Sequence, residues 1–525
     1  MPKKAPATHP KEKYALLSVF DKTGIIDLAT ALESSGFKII STGGTAKTLT
    51  EKGIEVIPIN EITGNPECFE GRMKTISFQI ESGILFDRNK PNHVKEAKDL
   101  NVKPIDIVVC NLYPFEETIS KPKTTLNDAI ESIDVGGPTM IRAAAKNFNN
   151  VLVVVDPKDY PEIINKLEKS NTTEKFKKRL AAKAFAHLSF YDSQIADYLK
   201  EDFLSDEITI PGRKTIELKY GENPHQKAAF YTYPYSKSPM TKLTPLTDKV
   251  PSLINIVDIN AAIKAIELFK KEAAAVIIKH HTPCGIALGK TAPEALKRAL
   301  EADPESAFGG IIALNKTLDL KTARIIANFK KDRGGNIDII AASNVDKKAV
   351  ELLRSVRKNM GIYSFGKTSP DSSSIKFVDG GFVLQTADNN IEKNFEKWKI
   401  VTKKKPSKKQ LEQMKVAWKF ISRIKSNTIA IIDEKLPMTR GIGSGQTSRF
   451  RSTKIALEQA GKNVKNGILA SDSFFPFDDS VKLAAKYKIG AIVQQGGSIN
   501  DKLSIEAADK AGLPMVLTYT RAFWH

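Results

Sequence analysis

Short apolar runs alternate with amphipathic segments along the first part of the chain. Strands are predicted at residues 15–19, 37–41, 105–110 and 151–155. Helices are predicted after the first two strands, the first at residues 25–34, and a longer one at about residues 174–200. Strands that alternate with helices are typical of a parallel sheet with helices on both faces. The pattern therefore predicts an α/β fold.

The alternation resumes in the second half of the chain. Strands are predicted at residues 274–278, 491–493 and 515–517, with a helix at about 502–510. Asp206, Glu207, Pro211 and Gly212 indicate a linker, and polar residues dominate a second boundary at 388–410. We expect a flexible tail at 1–13, a domain at 14–203, a linker at 204–216 and two subdomains at 217–388 and 389–525.

Composition is ordinary for a soluble globular protein, with 41% hydrophobic and 27% charged residues in a chain of 525. No apolar run reaches the roughly 18 residues of a membrane span. The basic N-terminus has no apolar region after it, so we expect a solvated tail and no signal peptide. Cys68, Cys110 and Cys284 are too widely spaced for a disulfide framework, which favours a cytoplasmic location.

The net charge of +20 favours anionic partners, either nucleic acid or phosphorylated and polycarboxylate small molecules. The basic residues are scattered apart from one run at 403–409, and no aromatic-basic RNA-binding motif is present. We therefore expect small anionic ligands, no nucleic acid and no membrane partner.

In the first half, polar loops follow predicted strands, where open α/β sheets bind ligands. Thr42-Gly43-Gly44-Thr45 opens a helix whose free N–H groups could bind phosphate, although a plain capped turn is the alternative. Gly71–Thr75 adds two cations, and further loops at 111–115 and 133–137 add a tyrosine and an aspartate. With a lysine at the end of the following helix, these residues predict an anion site with groups for proton transfer.

In the second half, Lys279-His280 ends a predicted strand. A single histidine is more often structural, but an adjacent lysine favours the neutral imidazole that can act as a base. Pro283-Cys284 resembles part of a zinc-deaminase signature, which needs a second cysteine at position 287 and an upstream His-x-Glu. Ala287 occupies that position and no His-x-Glu is present, so no metal is expected. Aromatic residues beside an aspartate at 472–477 suit a flat heterocycle, with hydrophobic core as the alternative.

From about Tyr14 to His525, the chain resembles the bifunctional phosphoribosylaminoimidazolecarboxamide (AICAR) formyltransferase/inosine monophosphate (IMP) cyclohydrolase family. The matching strings, in order, are SVFDKTG, STGGTAK, GRMKT, CNLYPFEETI, IDVGGPTMIRAAAKN, YGENPHQ, KHHTPCG, SAFGGIIALN, KSNTIA, GIGSGQTSR and SDSFFPF. The resemblance implies a methylglyoxal-synthase-like cyclohydrolase domain and two cytidine-deaminase-like formyltransferase subdomains without zinc. It also implies 10-formyltetrahydrofolate as donor, AICAR and formyl-AICAR (FAICAR) as nucleotides, and a homodimer with shared sites.

The same resemblance implies roles for individual residues. Lys279 and His280 form the formyl-transfer pair, with His280 as base. Formyltransferase substrates contact Lys219, Tyr220, Asn255, Phe308, Gly309, Asp338, Asn427, Arg449, Phe474, Asp479, Arg521 and Phe523. Nucleotide contacts in the cyclohydrolase are Ser18, Lys22, Thr42, Gly44, Thr45, Arg72 and Thr75, and its catalytic residues are Lys74, Tyr113, Asp134 and Lys146.

Four departures from the family pattern bear on activity. Residues 76–83 read ISFQIESG where the family has Leu-His-Pro-x-x-His-Gly-Gly, and Lys219 replaces an arginine and its bidentate contact. Gln495 replaces a proline, and the tail reads RAFWH in place of RHFRH. We expect Glu81 to bring a negative charge to the phosphate site and weaken binding, unless it faces solvent. A monofunctional formyltransferase with a scaffold cyclohydrolase and a non-enzymatic nucleotide-binding module remain alternatives.

Overall fold

The computed structural model describes residues 12–368 and 373–525, so most of the predicted tail lies outside the described residues. The described chain forms two compact units. The first extends to Gly212 and includes Tyr233–Tyr235, and the second comprises Arg213–Thr232 and Ser236–His525. Part of the predicted linker, from Arg213 onward, is already in a strand. The finer domain boundaries stay a prediction.

The first unit is a five-stranded parallel sheet in the order β3-β2-β1-β4-β5. Its strands are β1 (Lys13–Val19), β2 (Phe37–Ser41), β3 (Val56–Pro58), β4 (Ile105–Asn111) and β5 (Leu152–Val154). Its helices are α1 (Ile25–Ser34), α2 (Gly43–Thr50), α3 (Ile59–Thr63), α4 (Phe78–Leu85), α5 (Pro91–Asp99), α6 (Phe115–Ser120), α7 (Leu126–Glu131), α8 (Gly136–Lys146), α9 (Tyr160–Glu168) and α10 (Glu174–Leu199). The predicted strands are confirmed within a few residues, and so are the two helices predicted at residues 25–34 and 174–200.

Both faces of this sheet are buried, which explains its nearly continuous apolar strands. Tyr14 and Leu16 pack into one hydrophobic cluster, and Ala15 and Leu17 pack into another. Alternate side chains of a strand point to opposite faces, so β1 contributes to the core on each side. The polar residues that follow each strand are therefore fixed at one edge of the sheet.

The second unit contains two six-stranded sheets, in the orders β10-β9-β11-β12-β13-β8 and β16-β21-β20-β19-β17-β18, and two hairpins. Its strands are β6 (Arg213–Glu217), β7 (Ala229–Thr232), β8 (Thr244–Pro245), β9 (Ala273–Lys279), β10 (Thr282–Gly289), β11 (Ile311–Leu314), β12 (Ile339–Ala342), β13 (Gly361–Ser364), β14 (Ser373–Val378), β15 (Gly381–Thr386), β16 (Lys399–Ile400), β17 (Ile429–Ile432), β18 (Thr439–Gly443), β19 (Ile468–Ser471), β20 (Ala491–Gln494) and β21 (Met515–Leu517). Its helices are α11 (Leu253–Ile266), α12 (Ala292–Ala302), α13 (Leu320–Arg333), α14 (Lys347–Val356), α15 (Lys408–Ile421), α16 (Arg449–Ala460), α17 (Asp479–Lys486) and α18 (Asp501–Lys510).

The two large sheets belong to two structural repeats with the same order of elements. In each repeat a short edge strand leads through a 14-residue helix to an antiparallel hairpin and then to three parallel strands. Local hydrogen bonds repeat as well. Thr247 Oγ1 accepts the N–H of Ile362 (3.1 Å) in the first repeat, and Thr402 Oγ1 accepts the N–H of Met515 (2.8 Å) in the second. Thr402 therefore occupies the position of Thr247.

The repeats meet through their hairpins. Ala287 in β10 forms an antiparallel bridge with Met438, and the N–H of Leu288 donates to the carbonyl of Pro437 (2.8 Å). The N–H of Ile286 donates to Thr439 Oγ1 (3.1 Å). Because β10 and β18 run in opposite directions, the parallel strands of the two repeats also run in opposite directions.

Thr402 offers a test of the hydrogen bonds that close each repeat. Its buried hydroxyl accepts from Met515 and donates to the carbonyl of Lys404 (2.9 Å). We expect Thr402→Val to lower the free energy of unfolding by about 1–3 kcal/mol, because a buried N–H loses its acceptor. Calorimetric Tm measures the effect, with Thr402→Ser as the control that keeps the hydroxyl. A valine variant as stable as the unaltered protein would contradict this account.

Candidate functional site

Two lysine ammonium groups lie at the N-terminus of α2 in the first unit. Gly43 opens this helix with a φ of 52°, and a Cβ at this position would lie 2.7 Å from Lys74 Nζ. A Cβ on Gly44 would lie 3.7 Å from Lys22 Nζ. Free N–H groups at a helix start attract anions, and the two ammonium groups strengthen that attraction. The predicted residues Lys22, Gly44 and Lys74 are therefore brought together.

The hydroxyl groups around this helix start have different environments. Thr45 Oγ1 is buried, accepts the N–H of Val19 (3.0 Å) and donates to its carbonyl (2.9 Å), so it fixes the end of β1. Thr42 occupies the N-cap position, but its side chain accepts no helix N–H. Ser18 is half-buried in β1. The Thr45 hydroxyl thus has a structural role, whereas the Thr42 hydroxyl does not cap α2.

Asp134 lies just before α8, close to two other predicted residues. Its carboxylate accepts the N–H of Gly137 (2.8 Å) and the N–H of Tyr113, and burial raises its pKa. The Tyr113 ring is half exposed and packs edge-on against Phe20, with ring centroids 5.7 Å apart. A Cβ on Gly136 would collide with Thr75 Oγ1. Thr75, Tyr113 and Asp134 therefore line one region of the first unit.

Two further predicted residues have no contact with these groups among the described residues. Arg72 forms an ion pair with Glu131 of α7. Lys146 is the last residue of α8, ten residues beyond Gly136, which corresponds to about 15 Å along a helix axis. The described chain does not place Lys146 beside Asp134.

In the second unit, Lys279 and His280 form the end of β9 and the start of a tight turn. Lys279 pairs with Thr282, which leaves His280 and His281 as the two central residues, with φ values of 53° and 65°. Two positive φ values define a type I′ hairpin turn, which is unfavourable for residues other than glycine, asparagine and aspartate. Asp258 stabilises the turn by accepting the N–H of His281 (2.7 Å). The exposed His280 side chain is thus presented by a rigid turn.

Several predicted nucleotide contacts surround this turn. Lys279 Nζ donates to the carbonyl of Phe308 (2.8 Å). Asp338 Oδ2 accepts from Asn255 Nδ2 (3.2 Å), and its other oxygen forms ion pairs with Lys249 and Arg357. Neither Lys249 nor Arg357 was predicted as a site residue, because only the folded chain brings them to Asp338. Their contribution is to hold the Asp338 carboxylate.

Lys219 and Tyr220 lie near the start of α11. The N–H of Lys219 donates to the carbonyl of Pro251 (2.9 Å), and the carbonyl of Tyr220 accepts the N–H of Leu253 (3.1 Å). Lys219 Nζ lies 5.7 Å from the centroid of the Tyr220 ring. These contacts bring both residues close to Asn255.

A second cluster, which we call the Arg449 cluster, comprises Asn427, Arg449 and Asp472. The Arg449 guanidinium donates to Asn427 Oδ1 (2.7 Å) and forms a buried ion pair with Asp472. Asp472 was expected beside the aromatic residues of a heterocycle site, but its side chain is fully buried and is bonded to Arg449 and to the N–H of Thr428. The half-exposed Phe474 follows two residues later. The Asp479 carboxylate accepts the N–H of Ser480 (2.6 Å) and has no contact with this cluster among the described residues.

The C-terminal residues join the Arg449 cluster. The carbonyl of Asp472 accepts the N–H of Ala522 (2.9 Å), and the N–H of Ser426 donates to the carbonyl of Trp524 (2.9 Å). The Arg521 guanidinium stacks on Phe523, 4.4 Å from the ring centroid. Arg521 and Phe523 are thus close to the predicted folate contacts.

Both clusters lie at the same end of the second unit. Lys279 and Asp338 lie at the amino ends of β11 and β12, whereas Asp472 follows the carboxyl end of β19. Because the two repeats run in opposite directions, these ends coincide. Lys425 lies close enough to lower the pKa of His281, after the larger effect of burial. Lys279 and His280 therefore end β9, as predicted, yet lie at the amino ends of the parallel strands, because β9 is antiparallel to β11.

Within the described residues, no group of three or more His, Cys, Asp or Glu side chains could hold a metal ion. Burial raises the pKa of Cys284 to about 12, which keeps the thiol protonated. None of the described helices has the length and apolar character to cross a membrane.

Comparisons with known proteins identify the family. Residues 144–459 match the family described as AICARFT/IMPCHase bienzyme, and residues 24–139 match the MGS-like domain. "Bifunctional purine biosynthesis protein PurH" from Thermoanaerobacter sp. (strain X514) is 44% identical over 517 residues, 98% of this chain and 100% of the relative. Proteins of the same name from Clostridium botulinum (strain 657 / Type Ba4) and Bacillus mycoides (strain KBAB4) are each 43% identical, with the same coverage.

The chain belongs to the AICARFT/IMPCHase bienzyme family. The family is enzymatic, and the match to the MGS-like domain confirms the fold predicted for the first unit. The mixed sheets of the second unit agree with the α/β class predicted for the rest.

Glu81, which departs from the family pattern, lies in α4 with one carboxylate oxygen buried and without a hydrogen-bond partner. Burial raises its pKa to about 7, with no contribution from a neighbouring charge. The carboxyl is therefore only partly ionised at neutral pH. Burial thus reduces the negative charge that Glu81 was expected to bring to the phosphate site, and the buried oxygen does not fit the alternative of a carboxyl that faces solvent.

Glu81 gives a prediction about stability and pH. The folded state binds the Glu81 proton more tightly than the unfolded state, whose pKa is near 4.5, so stability falls as pH rises through about 7. We expect Glu81→Gln to raise Tm at pH 8 and to have a much smaller effect at pH 5. The control is Glu96→Gln on the exposed surface of α5. Equal Tm differences at both pH values would argue against a buried carboxyl with a raised pKa.

Proposed function

We propose that this protein catalyses the last two steps of IMP biosynthesis. The second unit transfers a formyl group from 10-formyltetrahydrofolate to the amine of AICAR, and the first unit closes the resulting FAICAR to IMP with loss of water. Membership of the bienzyme family supports both activities, and no observation favours a monofunctional enzyme. The observation that carries the assignment is that each unit has its own polar site, built from different groups.

For formyl transfer, the AICAR amine attacks the formyl carbon, the carbon–nitrogen bond to the folate breaks, and tetrahydrofolate leaves. We assign His280 to accept the amine proton. Lys279 is held beside Phe308, and Asp338 and Asn255 are positioned for the nucleotide. Phe474 and the Arg449 cluster at the same end support folate binding there.

For ring closure, the carboxamide nitrogen attacks the formyl carbon and water departs. Lys22, Lys74 and the start of α2 bind the phosphate in this proposal. Asp134 and Tyr113 are the groups that move protons, and the raised pKa of the Asp134 carboxyl suits that task. The reaction needs positioning and proton transfer, without a cofactor.

The division of labour predicts that one substitution separates the two activities. We expect His280→Asn to lower formyl transfer by about 10²–10⁴-fold, because a general base is removed. Asparagine is chosen because it tolerates the positive φ at this position. Cyclisation of preformed FAICAR should be unchanged, and Asp134→Asn should give the reverse pattern. Parallel loss of both activities in either variant would refute the division.

We also propose a cytoplasmic homodimer. The β14–β15 hairpin exposes Phe377 and Phe382, with ring centroids 6.2 Å apart, and apolar surface of this kind is typical of protein contacts. On dilution we expect formyl transfer to fall before cyclisation, because in this proposal the two subunits share the formyltransferase site. Analytical ultracentrifugation alongside both assays tests this. Full formyltransferase activity from a monomer would exclude it.

A further inference from the structure

A cavity of about 450 Å³ lies in the second repeat, away from both clusters described above. Its lining includes Lys404, Lys409, Glu434, Asn466, Lys488 and Gly490. Asn466 and Gly490 lie near the amino ends of β19 and β20, whereas the Arg449 cluster lies at the carboxyl end of β19. The cavity is therefore at the opposite end of the sheet from the proposed formyltransferase site.

The repeat relates this cavity to the Asp338 region of the first repeat. Strand register aligns Ile311 with Ile468 and Ile339 with Ala491, which places Gly490 at the position of Asp338. The equivalence of Thr247 and Thr402 continues along the chain. Both helices begin with a capping box, from Ser252 and Asn255 in α11 and from Ser407 and Gln410 in α15. The corresponding pairs are therefore Lys249 and Lys404, Asn255 and Gln410, Gly309 and Asn466, and Asp338 and Gly490.

The two positions differ in charge. In the first repeat, Asp338 forms ion pairs with Lys249 and Arg357. In the second, Gly490 has no carboxylate to offer Lys404. Among the described residues, the ammonium groups of Lys404, Lys409 and Lys488 form no ion pair, and Glu434 is the acidic residue of the lining. With three ammonium groups and one carboxylate in its lining, this concave region is net positive and attracts an anion.

We propose that this cavity binds a phosphate-bearing small molecule of about mononucleotide size. Its volume lies within the roughly 300–1,000 Å³ of small-molecule pockets. Lysines bind phosphate as point charges, and the start of the 14-residue helix α15 adds positive potential. The phosphate could belong to a nucleotide or be free inorganic phosphate, and the two sources are distinguished by experiment. The site is additional to the two proposed for catalysis.

The test is isothermal titration of the full-length protein with AMP and, separately, with inorganic phosphate. The variant combines Lys404→Ala, Lys409→Ala and Lys488→Asn, where asparagine suits the φ of 59° at Lys488. The control is Lys486→Ala, an exposed lysine at the end of α17 outside the cavity lining. We expect one binding site per chain to weaken at least tenfold in the triple variant and to persist in the control. Lys409→Glu alone serves as a second, milder variant.

The outcomes separate the ligand sources and the two proposals. If the triple variant binds AMP more weakly while phosphate binding is unchanged, the cavity is a nucleotide site. If the affinities for AMP and for phosphate fall equally, the cavity recognises phosphate itself. Photolabelling with 8-azido-AMP should mark peptides around Lys488 in the unaltered protein. Isotherms that are the same for the unaltered protein and the variants, with both ligands, would overturn the proposal. Formyl transfer and cyclisation at saturating substrate should be unchanged in the triple variant, so failure here is distinguishable from failure of the proposed function.

Discussion

The reversal of one strand against its neighbours determines where the polar groups of the second unit lie. Because β9 is antiparallel to β11, its carboxyl end brings Lys279 and His280 to the amino ends of the parallel strands, with Lys279 bonded to Phe308 and Asp338 at the same end of the sheet. The antiparallel bridge between the hairpins then inverts the second repeat, so that its carboxyl ends meet the same end of the unit. Backbone pairing thus assembles the two clusters that the proposed transfer reaction requires.

The Arg449 cluster shows how this geometry is held. A buried ion pair costs desolvation and is favourable only when its remaining polar atoms are also bonded. Here the Asp472 carboxylate also accepts the N–H of Thr428 (3.2 Å), and Arg449 also donates to Asn427 and Ser471. Each bond restricts the rotamer of a side chain near the proposed folate site. The network therefore holds Asn427 in one orientation, and this preorganisation explains the buried ion pair better than a gain in stability does.

Much of the fold could be predicted from the sequence, and the reasons are local. Strands such as β1 and β4 are apolar on both faces, and Thr42–Thr45 has the composition of a helix start. The repeat in the second unit could not be found in this way, because the same backbone positions carry different side chains, as with Asp338 and Gly490. The burial of Glu81 was also missed, because it depends on how α4 packs rather than on periodicity. The individual site roles were inferred from family resemblance and stay proposals.

The departures from the family pattern fall on both units, and their physical effects differ. Lys219 lacks the planar fork of an arginine and cannot form a bidentate phosphate contact. It keeps its positive charge, however, and the ammonium group lies over the Tyr220 ring, in a segment bonded to the start of α11. At the proposed nucleotide site, Lys219 therefore keeps the Coulombic attraction for a phosphate but not the directional contact of an arginine. Since the altered stretch 76–83 belongs to the other unit, affinity at the two proposed sites can change independently.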